Sequence, residues 1–239
     1  MGKFDNMPLP TILAASFLDA GGHGVAQVLT HRERAALVGM SRPVEFKRDQ
    51  MIQTEGARAE FIWNIVSGTA ETYCLLPDGT RRVMSILFAA DLIGLSEGGH
   101  YVETARALTE VRAWEIPLRA LDGLVRRDPR LDAALLCKIS HELRESERHL
   151  LTTARQDARA RVAAFLVWLK QKEAATLHSG DLLELPLRRE DIADYLGLSV
   201  ESVSRCLGQL ERSGLILREQ RRTLRLMDVP ALQKLAGMD

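Results

Sequence analysis

The sequence predicts an α+β chain in three stages: a roll of short strands, one long helix, and a smaller helical unit that ends in a hairpin. Three observations predict it. Short β-rich runs between turn residues fill Val44 to about Pro117, a seven-residue apolar repeat follows Asp128-Pro129, and a helix–Gly–helix signature occupies 189–207. A chain of 239 residues has room for two domains, and its apolar share of 46% and charged share of 27% are those of an ordinary globular protein. No apolar run approaches bilayer length, and the short patch from Ile12 to Leu18 makes a poor signal peptide, so a cytoplasmic protein is expected.

Residues 1–30, with Pro8, Pro10 and Gly21-Gly22, read as an irregular arm. Thr30-His31-Arg32-Glu33 is a capping box that opens a helix through Ala35, Ala36 and Leu37. Residues 31–128 form the expected roll. Phe61–Val66 and Val83–Leu87 are strand-like, Gly68 follows the first run, and Pro77-Asp78-Gly79 is a hairpin turn. Regular spacing of such strands suggests a small antiparallel barrel or roll.

The long helix is expected over 129–157. Leu136, Leu143 and Leu150 recur every seven residues; Ile139 and Thr153 complete the seam, and polar Ser146 takes one inward position. The flanks are charged, as His141, Glu142, Arg144, Glu145, Glu147 and Arg148 show. The stripe either packs on its own domain or, as the strict spacing favours, pairs with a second copy of the helix.

Residues 158–239 form the last unit. Arg159–Lys170 reads as a helix, His178–Asp181 as a loop, Leu182–Leu187 as a strand, and Leu215–Leu226 as a hairpin turning near Arg221-Arg222. Between them lies a helix-turn-helix pattern. Ala193 lets two helices approach, Gly197 ends the first in a left-handed conformation, and Ser199 caps the second. Ile192, Leu196, Leu198, Val203 and Cys206 fall inward, which leaves Glu201, Ser204 and Arg205 on one outward face at i, i+3, i+4.

That trio suits base edges. Arg donates two parallel hydrogen bonds to guanine, Glu accepts from cytosine, and Ser serves several bases. The plain alternative is a solvated face with an internal Glu–Arg ion pair. Ser199, Ser202 and Arg189 join the trio as expected DNA contacts. Arg218, Arg221, Arg222 and Arg225 on the hairpin either meet phosphates or merely keep a hairpin soluble. Cys206 invites a redox reading, but its inward position favours a small core residue.

Other chemistry finds little support. Formal charge is zero, and the 14 Lys and Arg against 12 Asp and Glu from Arg155 onward are too balanced to identify a partner. Cys74, Cys137 and Cys206 form no CxxC pair, so neither a disulfide framework nor a zinc site is suggested. No P-loop, nucleophile elbow, metal cluster or carboxylate pair points to an enzyme.

From about Val44 onward the chain resembles the CRP/FNR superfamily. The stretch Asp191–Arg205 is similar to the FNR/FixK branch, whose recognition helix carries Glu-x-x-Ser-Arg, matched here by Glu201, Ser204 and Arg205. The resemblance implies a cyclic-nucleotide-binding-type β-roll, a long dimerisation helix and a C-terminal winged helix-turn-helix. It also implies a homodimer that binds a TTGAT…ATCAA-like palindrome and activates transcription by touching RNA polymerase.

The family's ligands fit this sequence poorly. The turn Ile93-Gly94-Leu95-Ser96 lacks the Glu that nucleotide binders place after Gly, no Arg occurs from Leu95 to Ala105, and Glu103 adds an acid there, so cyclic AMP is not expected. No cysteine precedes Cys74, which leaves the iron–sulfur cluster of oxygen-sensing relatives without its ligands. Ser146 stands where oxygen-labile members carry an Asp in the seam, so the FixK-like, cofactor-independent subset is the better analogy and a dimer in air is expected. Two alternatives stay open: a haem- or other small-ligand-dependent sensor, with His23, His31 and His100 as candidates, or a cyclic-nucleotide-type regulatory module without DNA binding.

Overall fold

A computed structural model describes residues 4, 7–14, 26–94, 96–127, 129–155, 157–176, 182–220 and 222–237. Gly21-Gly22, His23, Leu95, Asp128, the loop His178–Asp181 and Arg221 lie outside the described residues. Two units emerge: Met1–Cys74 with Met84–Glu145, and Leu75–Val83 with Ser146–Asp239.

In the first unit, β1 (Leu13–Ala14) pairs antiparallel with β2 (Ala26–Gln27) ahead of α1 (His31–Met40). The capping box forms as the sequence predicts: Thr30 Oγ1 accepts from Glu33 N at 3.3 Å, and Glu33 Oε2 accepts from Thr30 N at 2.5 Å. Among its described residues the arm is less irregular than expected. Asn64 Oδ1 accepts from Thr11 N at 2.9 Å, the Arg34 guanidinium donates to the Leu9 and Pro10 carbonyls, and Trp114 Nε1 donates to Pro8 O at 2.8 Å. Ile12 is 2% exposed, so the arm closes one end of an apolar cluster with Leu29, Leu37, Ile116 and Leu131.

The strands are β3 (Arg42–Phe46), β4 (Met51–Gln53), β5 (Phe61–Ser67), β6 (Ala70–Leu75), β7 (Arg81–Leu87), β8 (Leu92–Ile93), β9 (Ser96–Glu97), β10 (His100–Tyr101), β11 (Thr104–Ala107) and β12 (Val111–Pro117). They build two four-stranded sheets, ordered β3-β12-β5-β8 and β4-β11-β6-β7, with β9 and β10 as a separate ribbon. Alternation along β5 and β12 turns Trp63, Ile65, Val111 and Ala113 inward, against Ile52, Leu87 and Ile93. Gly68 turns β5 into β6 at φ +90°, and a Cβ there would lie 2.1 Å from the Glu110 carbonyl oxygen. The hairpin turn at Pro77-Asp78-Gly79 is present: Gly79 has φ +82°, and Asp78 Oδ1 accepts from Thr80 N at 2.8 Å.

Helix α2 (Leu118–Val125), which the sequence reading did not foresee, follows Pro117 without a side-chain cap. The long helix α3 (Pro129–Thr153) comes next. Its inner face reaches the roll through Lys138, 2% exposed, whose Nζ lies 2.8 Å from Asp91 Oδ1 and 2.5 Å from Glu142 Oε1. Burial opposes the ammonium charge, yet the two carboxylates outweigh it and raise its pKa. The opposite face carries the heptad stripe. Leu136, Ile139, Leu143 and Leu150 are 56–66% exposed, and Ser146 is exposed beside them.

The second unit contains α4 (Ala158–Thr176), β13 (Leu182–Glu184), α5 (Arg189–Leu196), α6 (Val200–Arg212), β14 (Ile216–Gln220), β15 (Thr223–Leu226) and α7 (Val229–Leu235). The expected strand Leu182–Leu187 is shorter, because ladder pairing to β15 stops at Glu184. A three-stranded sheet, β13-β15-β14, supports the helices. Phe165, Leu166, Leu183, Ile192, Leu196, Val203 and Leu224 are each at most 2% exposed and form its core. Tyr195 is stacked at 3.9 Å on His149 and at 5.7 Å on Trp168, measured between ring centroids.

Candidate nucleic-acid interface

The helix pair α5–α6 is fixed by local signals. At the start of α5, Asp191 Oδ2 accepts from Arg188 N at 3.0 Å. Asp191 therefore satisfies an amide that a helix N-terminus leaves open. Gly197 ends α5 at φ +63°, where a side chain would be strained, and Leu198 N donates back to Ala193 O at 3.0 Å. Ser199 then caps α6, its Oγ accepting from Ser202 N at 3.2 Å. Val203, Cys206, Leu207 and Leu210 are each 0–3% exposed on the inner side. Burial pushes the Cys206 thiol pKa up, which keeps it a neutral core group.

The outer side presents Glu201, Ser204 and Arg205 to solvent, as the spacing predicts. Among the described residues no ion pair joins Glu201 to Arg205; instead Arg205 Nη2 donates to Ser202 Oγ at 3.2 Å. Glu201 is held below the usual carboxylate pKa by its own backbone N–H and then by the Ser199 hydroxyl. Two short serines thus park both charged groups while their outer edges stay open. The face can accept at Glu201 and donate in a fork at Arg205, the chemistry that major-groove edges require.

The remaining expected contacts divide. Ser199 is exposed and Ser202 half-buried, both at the N-terminal end of α6. Arg189 is half-buried at the start of α5; burial and then the nearby Arg218 lower its pKa, and its Nη1 is buried without a hydrogen-bond partner. On the hairpin, Arg218 is tied to Glu211, with Nε 2.6 Å from Oε2, and Arg225 Nε lies 2.9 Å from Glu219 Oε1. Both arginines are therefore partly neutralised in the free protein. Sequence spacing alone did not reveal those acids as their partners.

Between Tyr101 and Arg106 the polar groups of the roll are acidic or engaged with protein partners. Tyr101 is 6% exposed and spends its hydroxyl on the backbone: it donates to Phe61 O at 2.9 Å and accepts from Phe61 N at 3.2 Å. Burial and then Glu55 raise the Glu103 pKa, which marks an environment hostile to negative charge. The nearest arginine along this stretch, Arg106, is bound to buried Glu71 at 2.6 Å and faces Asp49 at 3.7 Å. Candidate haem ligands His31 and His100 are exposed, and His100 Nδ1 lies 3.1 Å from the Gly98 carbonyl.

A strand roll, a long helix with an open apolar stripe and a winged helix pair define a two-part DNA-binding regulator. Comparison with known proteins agrees. The Crp-like helix-turn-helix domain matches residues 160–235, and the cyclic nucleotide-binding domain matches residues 43–128. The nitrogen fixation regulation protein FixK of Azorhizobium caulinodans is 32% identical over 214 residues, covering 89% of this chain and 86% of that protein. The fumarate and nitrate reduction regulatory protein of Escherichia coli is 29% identical over 203 residues, 84% of this chain and 80% of that one. The structure of FixK2 from Bradyrhizobium japonicum superposes with a TM-score of 0.76 at 30% identity, over 82% of this chain and 96% of that one. The chain belongs to the CRP/FNR family, in its FixK-like branch, and is a transcription regulator with a helix-turn-helix DNA-binding domain. No helix among the described residues is long and apolar enough to cross a membrane.

Proposed function

We propose that this regulator acts in the cytoplasm as a homodimer on a TTGAT…ATCAA-like palindrome, activates transcription by contact with RNA polymerase, and needs no cofactor to bind DNA. The observation that carries the reading is the open face of α6, where Glu201, Ser204 and Arg205 lie together with no ion pair between Glu201 and Arg205. Ser199, Ser202 and Arg189 assist: the serines release Arg205 and Glu201 to the bases, and Arg189 meets a phosphate. The stripe of Leu136, Ile139, Leu143, Ser146, Leu150 and Thr153 supports the dimer, because four of its six side chains are large, apolar and more than half exposed. Two-fold pairing through it would present two α6 helices to two half-sites.

Arg205→Ala tests the reading in a competition gel shift at fixed salt. A bidentate contact to guanine contributes about 1–3 kcal/mol per half-site, so loss of two lowers specific affinity by about a hundredfold or more where the losses add. Random DNA, held by phosphate contacts, should lose far less. Glu201→Ala should relax sequence choice more than it weakens binding. Equal loss on specific and random DNA would make Arg205 a phosphate contact and overturn the assignment of the face.

A further inference from the structure

Helix α5 carries two acids one turn apart, Asp191 and Asp194, and one guanidinium bridges them. Their counter-ion comes from the hairpin tip Leu75–Val83, which belongs to the same compact unit as α5 although β6 and β7 continue into the roll. Arg81 Nη2 lies 3.0 Å from Asp191 Oδ1 and 2.7 Å from Asp194 Oδ2, and its Nε donates to Asp194 Oδ2 at 2.9 Å. The guanidinium fork thus spans positions i and i+3 of the first helix of the pair, a geometry that lysine cannot copy. Next to it, Arg82 Nη1 lies 3.5 Å from where a Cβ on Gly197 would be, at the turn between α5 and α6.

Asp191 is 3% exposed, and its other oxygen already caps α5 at Arg188 N. A carboxylate so placed needs compensation for lost hydration, and a second carboxylate one turn on adds repulsion. Arg81, its side chain 22% exposed, supplies charge to both at once. Without that fork the N-terminal cap of α5 works against two like charges, and the hairpin that sets Arg82 beside the Gly197 turn loses its tie to α5, leaving that turn to Arg161, whose Nη1 donates to Leu196 O at 3.2 Å.

We propose that Arg81 is a positioning residue for DNA reading: by bridging Asp191 and Asp194 it locks α5, and through the Gly197 turn holds α6 at the angle that admits it to the groove. The inference rests on the DNA-binding reading above. It makes the hairpin between β6 and β7, and not only the helix pair, a determinant of sequence recognition.

The test uses the full chain with Arg81→Gln, Arg81→Lys, Asp194→Asn, and the charge exchange Arg81→Asp with Asp194→Arg. Arg81→Gln should lower affinity for the palindrome about tenfold at fixed salt and leave random-DNA affinity within twofold. Arg81→Lys should recover only part of the loss, and Asp194→Asn should lose less than Arg81→Gln. The charge exchange should bind better than either of its component changes. If Arg81→Gln unfolds, Asp194→Asn, altered at a half-exposed site, carries the test. Amide hydrogen exchange read without DNA separates the two claims. Faster exchange across α5 and the 197–199 turn in Arg81→Gln is expected whether or not the palindrome is the right target. Unchanged exchange together with unchanged palindrome affinity overturns the proposal. Failure of wild type and Arg205→Ala alike to prefer the palindrome, with exchange faster in Arg81→Gln, overturns the target assignment and leaves the lock standing.

Discussion

Replacing Lys138 with Met removes a buried charge from the joint between α3 and the roll while nearly keeping its length. Lys138 Nζ sits 2.8 Å from Asp91 Oδ1, and its side chain is only 3% exposed. After the change Asp91 keeps one backbone donor, Phe88 N at 3.0 Å from its Oδ2, but loses its cation. Breaking a buried pair from one side costs about 3–5 kcal/mol. The lower end applies, because the Asp91 side chain is 13% exposed and can recruit water. About 3 kcal/mol corresponds to a fall of roughly 6–12 °C in the melting of a domain of this size. Circular dichroism melts and urea titration at pH 7 would measure it. Adding Asp91→Asn to Lys138→Met should recover all but about 1 kcal/mol, since an amide oxygen still accepts from Phe88 and the other partner, Glu142, has a side chain 35% exposed and can hydrate. The Lys138 pKa is raised, so its contribution is fully present below the unfolded-state value and is lost only as pH rises through the folded one. The effect of the substitution should therefore be flat from pH 6 to about 9. A loss under 1 kcal/mol, or a double variant as unstable as the single, would refute the reasoning.

Other substitutions probe other joints. Gly68→Ala combines positive φ with a Cβ 2.1 Å from the Glu110 carbonyl, and should destabilise the roll by about 3 kcal/mol or more in urea titration. His149, half-buried against Tyr195, has its pKa pushed down by burial to about 4. Below pH 6.5 the unfolded chain gains a proton that the folded chain refuses, so stability falls as pH drops from about 6.5 towards 4. Allowing for partial solvent screening, the loss is about 1–2 kcal/mol, and His149→Gln should flatten that part of the pH profile. Ser199→Ala removes the α6 cap and should cost about 1 kcal/mol of stability, with a further loss of specific DNA binding as the N-terminal turn frays. Intact binding by that variant would show that the turn is held from elsewhere.

How much was legible in the sequence follows from the range of the forces. The Thr30 box, the Gly197 end and the Ser199 cap act over three or four residues, so their residue types announce them. The heptad stripe was legible for the same reason, since period is a local property. Helix α7 had a signal that went unread, an Asp228 cap with Pro in the first turn. Helix α2 had none, because Pro117 offers no capping side chain. The joints that link distant segments left no mark. Lys138 finds Asp91 across 47 positions and Arg81 finds Asp191 across 110, and neither residue type foretells its partner. On the outer face of α6, the trio was readable from spacing, but the serines that park it and the acids that hold Arg218 and Arg225 required the fold.

The arm that closes the first unit has a consequence for synthesis. Trp114, whose indole holds the Pro8 carbonyl, is added 106 residues after Pro8. At about 5–20 residues per second, roughly 5–20 s separate the two on the ribosome. Asn64, which grips Thr11 from both sides, arrives about halfway through that interval. Until then Arg34 can hold the arm to α1 through the Leu9 and Pro10 carbonyls, while Ile12, Leu29 and Leu37 wait for their cover of Trp114 and Ile116. A nascent chain of this protein therefore displays an apolar flap for seconds, and slowing translation between Asn64 and Trp114 should lengthen its exposure to chaperones and proteases.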